Sequence, residues 1–304
     1  MSIKNKMARI FRSSLTIISP KLNTKVIYRA KFGRKLDLKH PVTLNEKNLW
    51  LKFHTYWNND LVKKCADKYK VREYICDIGL GHILNRLICA YRRPEDIEWN
   101  NLPNQFAIKL NIGCGYNHIV SDMTNENADA LASEINKWLK QAPKSWLGYS
   151  EMQYKNVEPI ILIEEYLGGP NGELPEDYKF YCINGKCEMI MFCMGRDYSG
   201  HNAKYYFLDK DWNMVANSYN ERSISVQKPV ALDEAIKIAE TLSKPFPFVR
   251  VDLYLIGQRT VFGELTFTPA AGMDIDHLAR VIDSDEDIDH YYGRLLKLPI
   301  DRDA

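Results

Sequence analysis

Two apolar runs, Phe248–Ile256 and Arg259–Phe267, stand on either side of a Gly257-Gln258 turn, and each carries charged residues in its middle. Runs of this composition bounded by a glycine turn read as the two strands of a hairpin. Within it Asp252 and Glu264, twelve positions apart, can face one another across the strand pair. An unpaired buried carboxylate is costly and two adjacent ones repel, so something cationic must stand beside them. Mg²⁺ meets that need, because it takes hard oxygen ligands from one or two carboxylates and completes its shell with waters and phosphates. Cross-strand ion pairs to Arg250 and Arg259 meet it equally well.

The hairpin closes a strand-rich region that starts at Pro159. Strands are expected over Ile160–Leu167, Tyr178–Ile183, Cys187–Met194 and Lys204–Leu208, with Asn184-Gly185 as a hairpin signal and one helix over Leu232–Leu242. Upstream, Thr43-Leu44-Asn45-Glu46 has the spacing of a capping box, and Leu49, Trp50, Phe53 and Trp57 follow at helical intervals. A second helix is expected over Asp60–Cys76. Residues 81–143 read as strands Ile83–Ala90, Phe106–Leu110 and His118–Val120, then a helix through Leu131, Ile135, Trp138 and Leu139. The fold class is therefore α+β: two α+β lobes with a mainly antiparallel sheet and a cleft between them. The expected divisions are a basic arm at 1–39, a helical segment at 40–80, a small lobe at 81–158 and a large lobe at 159–304.

Composition excludes several other classes. The chain has 304 residues, 45% of them hydrophobic, with only 16 Gly and 13 Pro, which rules out collagen-like and disordered chains. No apolar run approaches the about 20 residues of a membrane span, and the Leu15–Ile18 patch lacks the features of a signal peptide, so a cytoplasmic protein is expected. Seven Cys without a Cys-x-x-Cys pair fit a reducing compartment better than disulfides or zinc. The net charge of +2 hides an asymmetry: eleven of the 41 Lys/Arg lie in residues 1–39 against one acid, Asp37, leaving 30 basic against 38 acidic residues elsewhere. Ile10, Phe11, Leu15, Ile17 and Ile18 are interleaved with these cations, a pattern suited to an anionic membrane surface. A nucleic-acid arm or a solvated terminus gives a similar pattern.

Five further patterns bear on chemistry. Lys109, flanked by Ile108 and Leu110 and followed by Gly113-Cys114-Gly115, supplies a fixed cation and approachable backbone N–H groups, as a phosphate site requires. A solvent-facing strand lysine before an ordinary turn has the same pattern. The strand Ile160–Leu167 turns polar at Glu164-Glu165-Tyr166 before Gly168-Gly169-Pro170, where it can hinge two lobes and offer backbone groups to a planar heterocycle, or simply leave the core. Asp177-Tyr178-Lys179-Phe180 is a charged start to an aromatic strand, and Asp67-Lys68 with Arg72 reads alone as a solvated helix face. Arg196, His201 and Lys204, in the loop Gly195–Tyr205, have the chemistry to bind an acceptor carboxylate or sugar.

Taken in order, Asp67-Lys68…Arg72, Lys109 with Gly113 and Gly115, Ile163-Glu164-Glu165-Tyr166-Leu167, Asp177–Phe180, Phe248–Tyr254 and Phe262–Phe267 resemble an ATP-grasp enzyme, most closely the TupA-like ATP-grasp family of bacterial surface-polysaccharide pathways. The resemblance covers about residues 35–280. It implies an ATP-grasp fold with ATP in the cleft between the lobes. It further implies that Lys68, Lys109 and Lys179 contact phosphates, that the Gly113–Gly115 turn closes over them, and that Glu164, Glu165, Tyr166 and Leu167 form the adenine hinge. Asp252 and Glu264 match the Mg²⁺-binding acids, Thr266 holds the third position where many such ligases have Asn, and Arg250 matches the arginine beside an acyl phosphate.

The activity implied is ATP-dependent amide formation. A carboxylate, expected to be a uronic acid of a capsular or cell-surface glycan or a nucleotide-linked sugar, is activated as an acyl phosphate and joined to an amino acid or amino alcohol. ATP and Mg²⁺ are the expected cofactors, nucleic acid is not an expected partner, and the arm would hold the enzyme at the inner face of the bacterial membrane. A glycosyltransferase or an ATP-dependent kinase of the same pathways is the alternative. Asp274-Ile275-Asp276 and Asp209-Lys210-Asp211 satisfy the Asp-x-Asp pattern of a glycosyltransferase only formally.

Overall fold

The computed structural model describes residues 3–169, 173–195, 204–217 and 225–299. In chain order its first elements are α1 (Ile3–Ile18), α2 (Pro20–Phe32), α3 (Leu44–His54), α4 (Asp60–Ala66), α5 (Val71–Asp77), β1 (Leu87–Tyr91), β2 (Phe106–Leu110), β3 (Asn117–Val120), α6 (Ala128–Gln141) and β4 (Ile161–Glu165). There follow β5 (Asp177–Ile183), β6 (Lys186–Met194), β7 (Lys204–Leu208), β8 (Met214–Asn217), α7 (Leu232–Ser243), β9 (Phe248–Ile256), β10 (Arg259–Thr266) and α8 (Ile288–Gly293). They form two compact units, one of residues 1–23 and 58–174, the other of residues 24–57 and 175–304.

The first unit is built on a four-stranded antiparallel sheet in the order β1-β4-β2-β3. Alternation along β2 and β4 sends Phe106, Ile108, Leu110, Ile161 and Ile163 into a core that Leu131, Ile135 and Trp138 of α6 complete. Those three residues recur at i, i+4 and i+7, which gives α6 its apolar stripe, and Asn127 caps the helix by accepting from the Ala130 N–H. The same alternation turns Lys109 and Glu164 to the opposite face. β4 corrects the boundary expected at 158/159, because Ile161–Glu165 pairs with both β1 and β2 and so completes the first sheet.

The helix expected over Asp60–Cys76 is two helices. Asp67 breaks it with an extended backbone, φ −87° and ψ 115°. Its carboxylate accepts from the N–H groups of Tyr69 (2.8 Å) and Lys70 (3.1 Å) and from the Asn111 side-chain amide (2.8 Å), a local alternative to helix that aspartate offers readily. The Lys68 N–H, freed from the helical ladder, donates to the Asn111 carbonyl at 2.8 Å. Nor is the basic N-terminal stretch a solvated tail. Thr16 Oγ1 donates to the Leu147 carbonyl at 2.6 Å, and the Asn23 amide donates to Thr16 Oγ1 at 2.8 Å and Ser150 Oγ at 3.1 Å, all within a buried polar cluster.

The second unit carries a six-stranded antiparallel sheet in the order β10-β9-β5-β6-β7-β8. Asn184 and Gly185 join β5 to β6 with φ values of 49° and 78°, the left-handed pair a two-residue hairpin turn demands. α7 packs against β5, β6 and β9 through Leu232, Ala235, Ile238, Ala239 and Leu242. α3 begins with the expected capping box, Thr43 and Glu46 bonding reciprocally, and Tyr56 beyond it donates to the Phe248 carbonyl at 2.6 Å. β8 escapes the sequence reading because no Gly or Pro announces it: Trp212 takes φ 72° within a turn that the Asp209 carboxylate holds by accepting from Asp211 and Asn213 N–H groups.

Asp67→Ala removes the acceptor of two part-buried backbone N–H groups and one of the two acceptors of the buried Asn111 amide. It should cost about 2–4 kcal/mol of stability. Urea unfolding should show a lower midpoint at an unchanged slope, and Asp67→Asn, which keeps one carbonyl acceptor, should lose less.

Candidate active site

In the first unit, Lys109 and Glu164 meet on the face of the sheet opposite the core. Lys109 Nζ lies 2.9 Å from Glu164 Oε2, and Arg72 Nη1 stands 3.8 Å from Glu164 Oε1. Arg72 is fixed in turn by donating through Nη2 to the Asn85 carbonyl at 2.9 Å, while the Asn85 amide donates to the Glu165 carbonyl at 2.9 Å. Lys68, projected by the break at Asp67, donates from Nζ to the Gly113 carbonyl at 3.1 Å. Gly113 and Gly115 both take φ 78°, where a side chain is strained, so the Gly-x-Gly turn exists because of its glycines. Behind these groups stands Asn111, fully buried at the end of β2. It binds Asp67, accepts from the Ile160 N–H at 2.7 Å through Oδ1, and donates to the Glu158 carbonyl at 3.2 Å.

Two cations, Arg72 and Lys109, thus meet at the carboxylate of Glu164, and a third, Lys68, stands at the Gly113 turn beyond the end of β2. That clustering suits a polyanion. The Glu164 side chain serves as the counter-ion of Lys109 and Arg72. β4 ends at Glu165, whose N–H donates to the Arg86 carbonyl at 2.9 Å, and Tyr166 and Leu167 follow it half-buried.

In the second unit the site is a grid on one face of the sheet. Register places Lys179 of β5 opposite Asp252 of β9, and Asp252 opposite Glu264 of β10. The next rung is Tyr181, Arg250 and Thr266. Glu264 shares the face with Asp252 only because β10 bulges between Phe262 and Glu264, absorbing Gly263. A Cβ at Gly263 would stand 2.9 Å from the Asp252 carbonyl oxygen, so the close approach needs glycine.

Arg250 grips Asp252 with two bonds, Nε to Oδ1 and Nη2 to Oδ2, both 2.7 Å. Lys179 Nζ reaches Asp252 Oδ2 at 3.1 Å and also pairs with Asp177. Arg250 Nη2 donates to Thr266 Oγ1 at 3.2 Å, and Thr266 donates to Glu264 Oε1 at 3.1 Å. Burial opposes the charges on Lys179 and Arg250, but their carboxylate neighbours outweigh it and hold both cations above their ordinary pKa. Burial pushes the Asp252 carboxyl up, against the pull of Arg250 and Lys179. Arg259 takes no part, since it lies at the turn opposite Ile256. Of the two ion pairs weighed from sequence, the one from Arg250 to Asp252 exists.

The donor set fits Mg²⁺ in kind: two carboxylates and a hydroxyl on adjacent rungs, Glu264 with 37% of its side chain exposed. Asp252 already takes three N–H bonds, and among the described residues no cluster of three His, Cys, Asp or Glu side chains is set out to hold a metal. A cation here would draw most of its shell from water and phosphate.

Of the expected acceptor residues, Arg196 and His201 lie outside the described residues, and Lys204 is the exposed first residue of β7, paired in register with Met194. The two Asp-x-Asp runs do not form metal sites: Asp209 is spent on its own turn, and Asp274 accepts from the Asp276 N–H at 3.1 Å. Sequence reasoning missed Asn111 and the roles of Asp177 and Arg72. Asp177 was readable, because i and i+2 on a strand share a face; Asn111 carries no local signal.

The family model described as "TupA-like ATPgrasp" matches residues 46–293. Among solved structures, the chain is similar to the D-alanine–D-alanine ligase of Bacillus anthracis (18% identity, TM-score 0.43, 71% of this chain and 59% of that one). It is also similar to the D-alanine–D-alanine ligase of Helicobacter pylori (13%, TM-score 0.42, 77% and 65%) and the L-amino acid ligase of Bacillus licheniformis (13%, TM-score 0.47, 78% and 51%). The chain thus spans between about half and two thirds of the length of these ligases. No curated protein matches it. With the model matching most of its length, across both sheets, the chain belongs to the TupA-like ATP-grasp family and has an α+β ATP-grasp fold.

Proposed function

We propose that this protein is an ATP-dependent carboxylate–amine ligase that forms an amide through an acyl phosphate. The observation that carries the reading is the rung Lys179–Asp252–Glu264 with Arg250 and Thr266 beside it, in a chain of this family. Lys68 and Lys109 would take the phosphates of ATP, with the Gly113–Gly115 turn closing over them. Glu165, Tyr166 and Leu167 would supply backbone contacts to adenine. Glu164, already paired with Lys109 and Arg72, would hold those cations in place until phosphate displaces it.

Asp252 and Glu264 would hold Mg²⁺, which supplies charge neutralisation on the β- and γ-phosphate oxygens. Thr266 orients Glu264 and Arg250. A substrate carboxylate attacks the γ-phosphorus in line and ADP leaves. The amine then attacks the acyl phosphate carbonyl, Arg250 and Lys179 stabilise the negative charge that develops, and inorganic phosphate departs as the amide forms. Excluding water protects the acyl phosphate from hydrolysis. The family's setting in surface-polysaccharide synthesis suggests a uronic acid of a glycan or nucleotide-linked sugar as the carboxylate, and an amino acid or amino alcohol as the amine. It also suggests an enzyme at the inner face of the cell membrane.

Thermal unfolding should show a higher midpoint with Mg·ATP than with ATP alone and no shift with a UDP-sugar that carries no carboxylate, because a ligand bound only by the native state stabilises it. A shift with UDP-sugar and none with ATP would put a glycosyltransferase first, and phosphate found on the product would mark a kinase. Lys109→Ala and Glu264→Gln should each slow ADP release roughly 10²–10³-fold while the ligand-free midpoint changes little. Asp252→Ala is a different experiment. It takes the shared carboxylate from two buried cations, leaving Lys179 to Asp177 and Arg250 to Thr266 and Glu264, and should cost about 2–4 kcal/mol of stability, which a shifted urea midpoint would report.

A further inference from the structure

α1 shows its apolar side to water. Its protein-facing side is polar: Thr16 is 2% exposed and bonded to Leu147, and the Arg12 guanidinium lies over the Tyr149 ring, 5.1 Å from its centroid. Met7, Ile10, Phe11, Ile17 and Ile18 are 67, 57, 58, 74 and 75% exposed. Positions 7, 10, 11, 17 and 18 fall on one stripe of a helix, with exposed Ser14 between them. A helix serving only its own fold turns such a stripe inward; here it is turned out from Met7 to Ile18.

The charge around the stripe selects its occupant. Lys6 and Arg9 are exposed on the same helix, and residues 1–39 hold eleven Lys/Arg against a single acid. A second copy of the chain laid on this face would bring like charges together, which disfavours a dimer. A bilayer with anionic headgroups satisfies both features, its acyl boundary taking the stripe and its phosphates the cations. Among the described residues no helix is long and apolar enough to cross a membrane, so α1 would lie in the interface. We propose that α1 is an interfacial helix that docks this protein on an anionic phospholipid bilayer through Met7, Ile10, Phe11, Ile17 and Ile18, with flanking cations on the headgroups. The proposal stands apart from the ligase reading, since none of these residues belongs to either cluster of the candidate site.

The test is co-sedimentation of the full chain with vesicles of phosphatidylcholine alone and of phosphatidylcholine with about one third phosphatidylglycerol. The protein should pellet with the anionic vesicles at about 0.1 M salt, less at about 0.5 M, and little with the neutral ones. The double variant Ile10→Ser/Phe11→Ser should lose roughly tenfold or more in partitioning, and Lys6→Glu about fivefold. Both should keep the wild-type thermal midpoint, because these side chains are solvent-exposed. No pelleting with anionic vesicles at low salt would overturn the proposal. So would pelleting of the Ile10→Ser/Phe11→Ser variant equal to wild type, which would mark a purely electrostatic arm. A wild-type dimer in sedimentation velocity that this variant abolishes would reassign the face to an interface between copies.

Discussion

The carboxylate of Asp252 organises the second unit's site. It takes both arms of the Arg250 guanidinium and the Lys179 ammonium, and it does so buried on a sheet whose opposite face carries Val249, Val251 and Leu253 into the core. Desolvating three ionised groups offsets most of what their attraction gains. The arrangement is therefore poor as a source of stability and effective as a means of fixing side chains in place. Arg250 cannot swing without leaving Asp252, and Thr266, bonded to both Arg250 and Glu264, extends the constraint to the exposed carboxylate. Charges held rigid before a substrate arrives need no reorganisation when negative charge develops beside them.

In the first unit neutral groups perform the equivalent task. Asn111 contributes both its backbone and its side chain to joining Asp67, Lys68, Glu158 and Ile160. A carboxamide both donates and accepts, so one residue serves the break between α4 and α5 and the chain entering β4. The cost of interrupting a helix is offset by sending Lys68 toward Gly113, a position an uninterrupted helix would not give it.

Much of this was legible in the sequence because strand alternation and turn chemistry are local. The hairpin of β9 and β10, the Asn184-Gly185 turn and the capping box at Thr43 follow from residue type and spacing, whereas the pairing of Asp252 with Glu264 needs the bulge as well. What was not legible depends on partners distant in the chain. Asp67 looks like an ordinary helical residue until Asn111 reaches it, 44 positions on. Glu164 reads as a hinge residue until β2 brings Lys109 against it. β4 reads as the start of the second lobe because apolar strands look alike whichever sheet they join.

The bulge at Gly263 makes the site a matter of strand register as much as of residue type. Were that residue taken into the ladder opposite Asp252 instead of bulging out of it, Asp, Glu, Thr and Arg would all remain in the sequence in the same order, and Glu264 would stand opposite Val251. Alternation would then carry the Glu264 side chain through to the buried face, away from Asp252. A motif can be completely spelled in a gene and still be missing from the surface that uses it. In this fold the difference is one glycine with no side chain of its own to contribute.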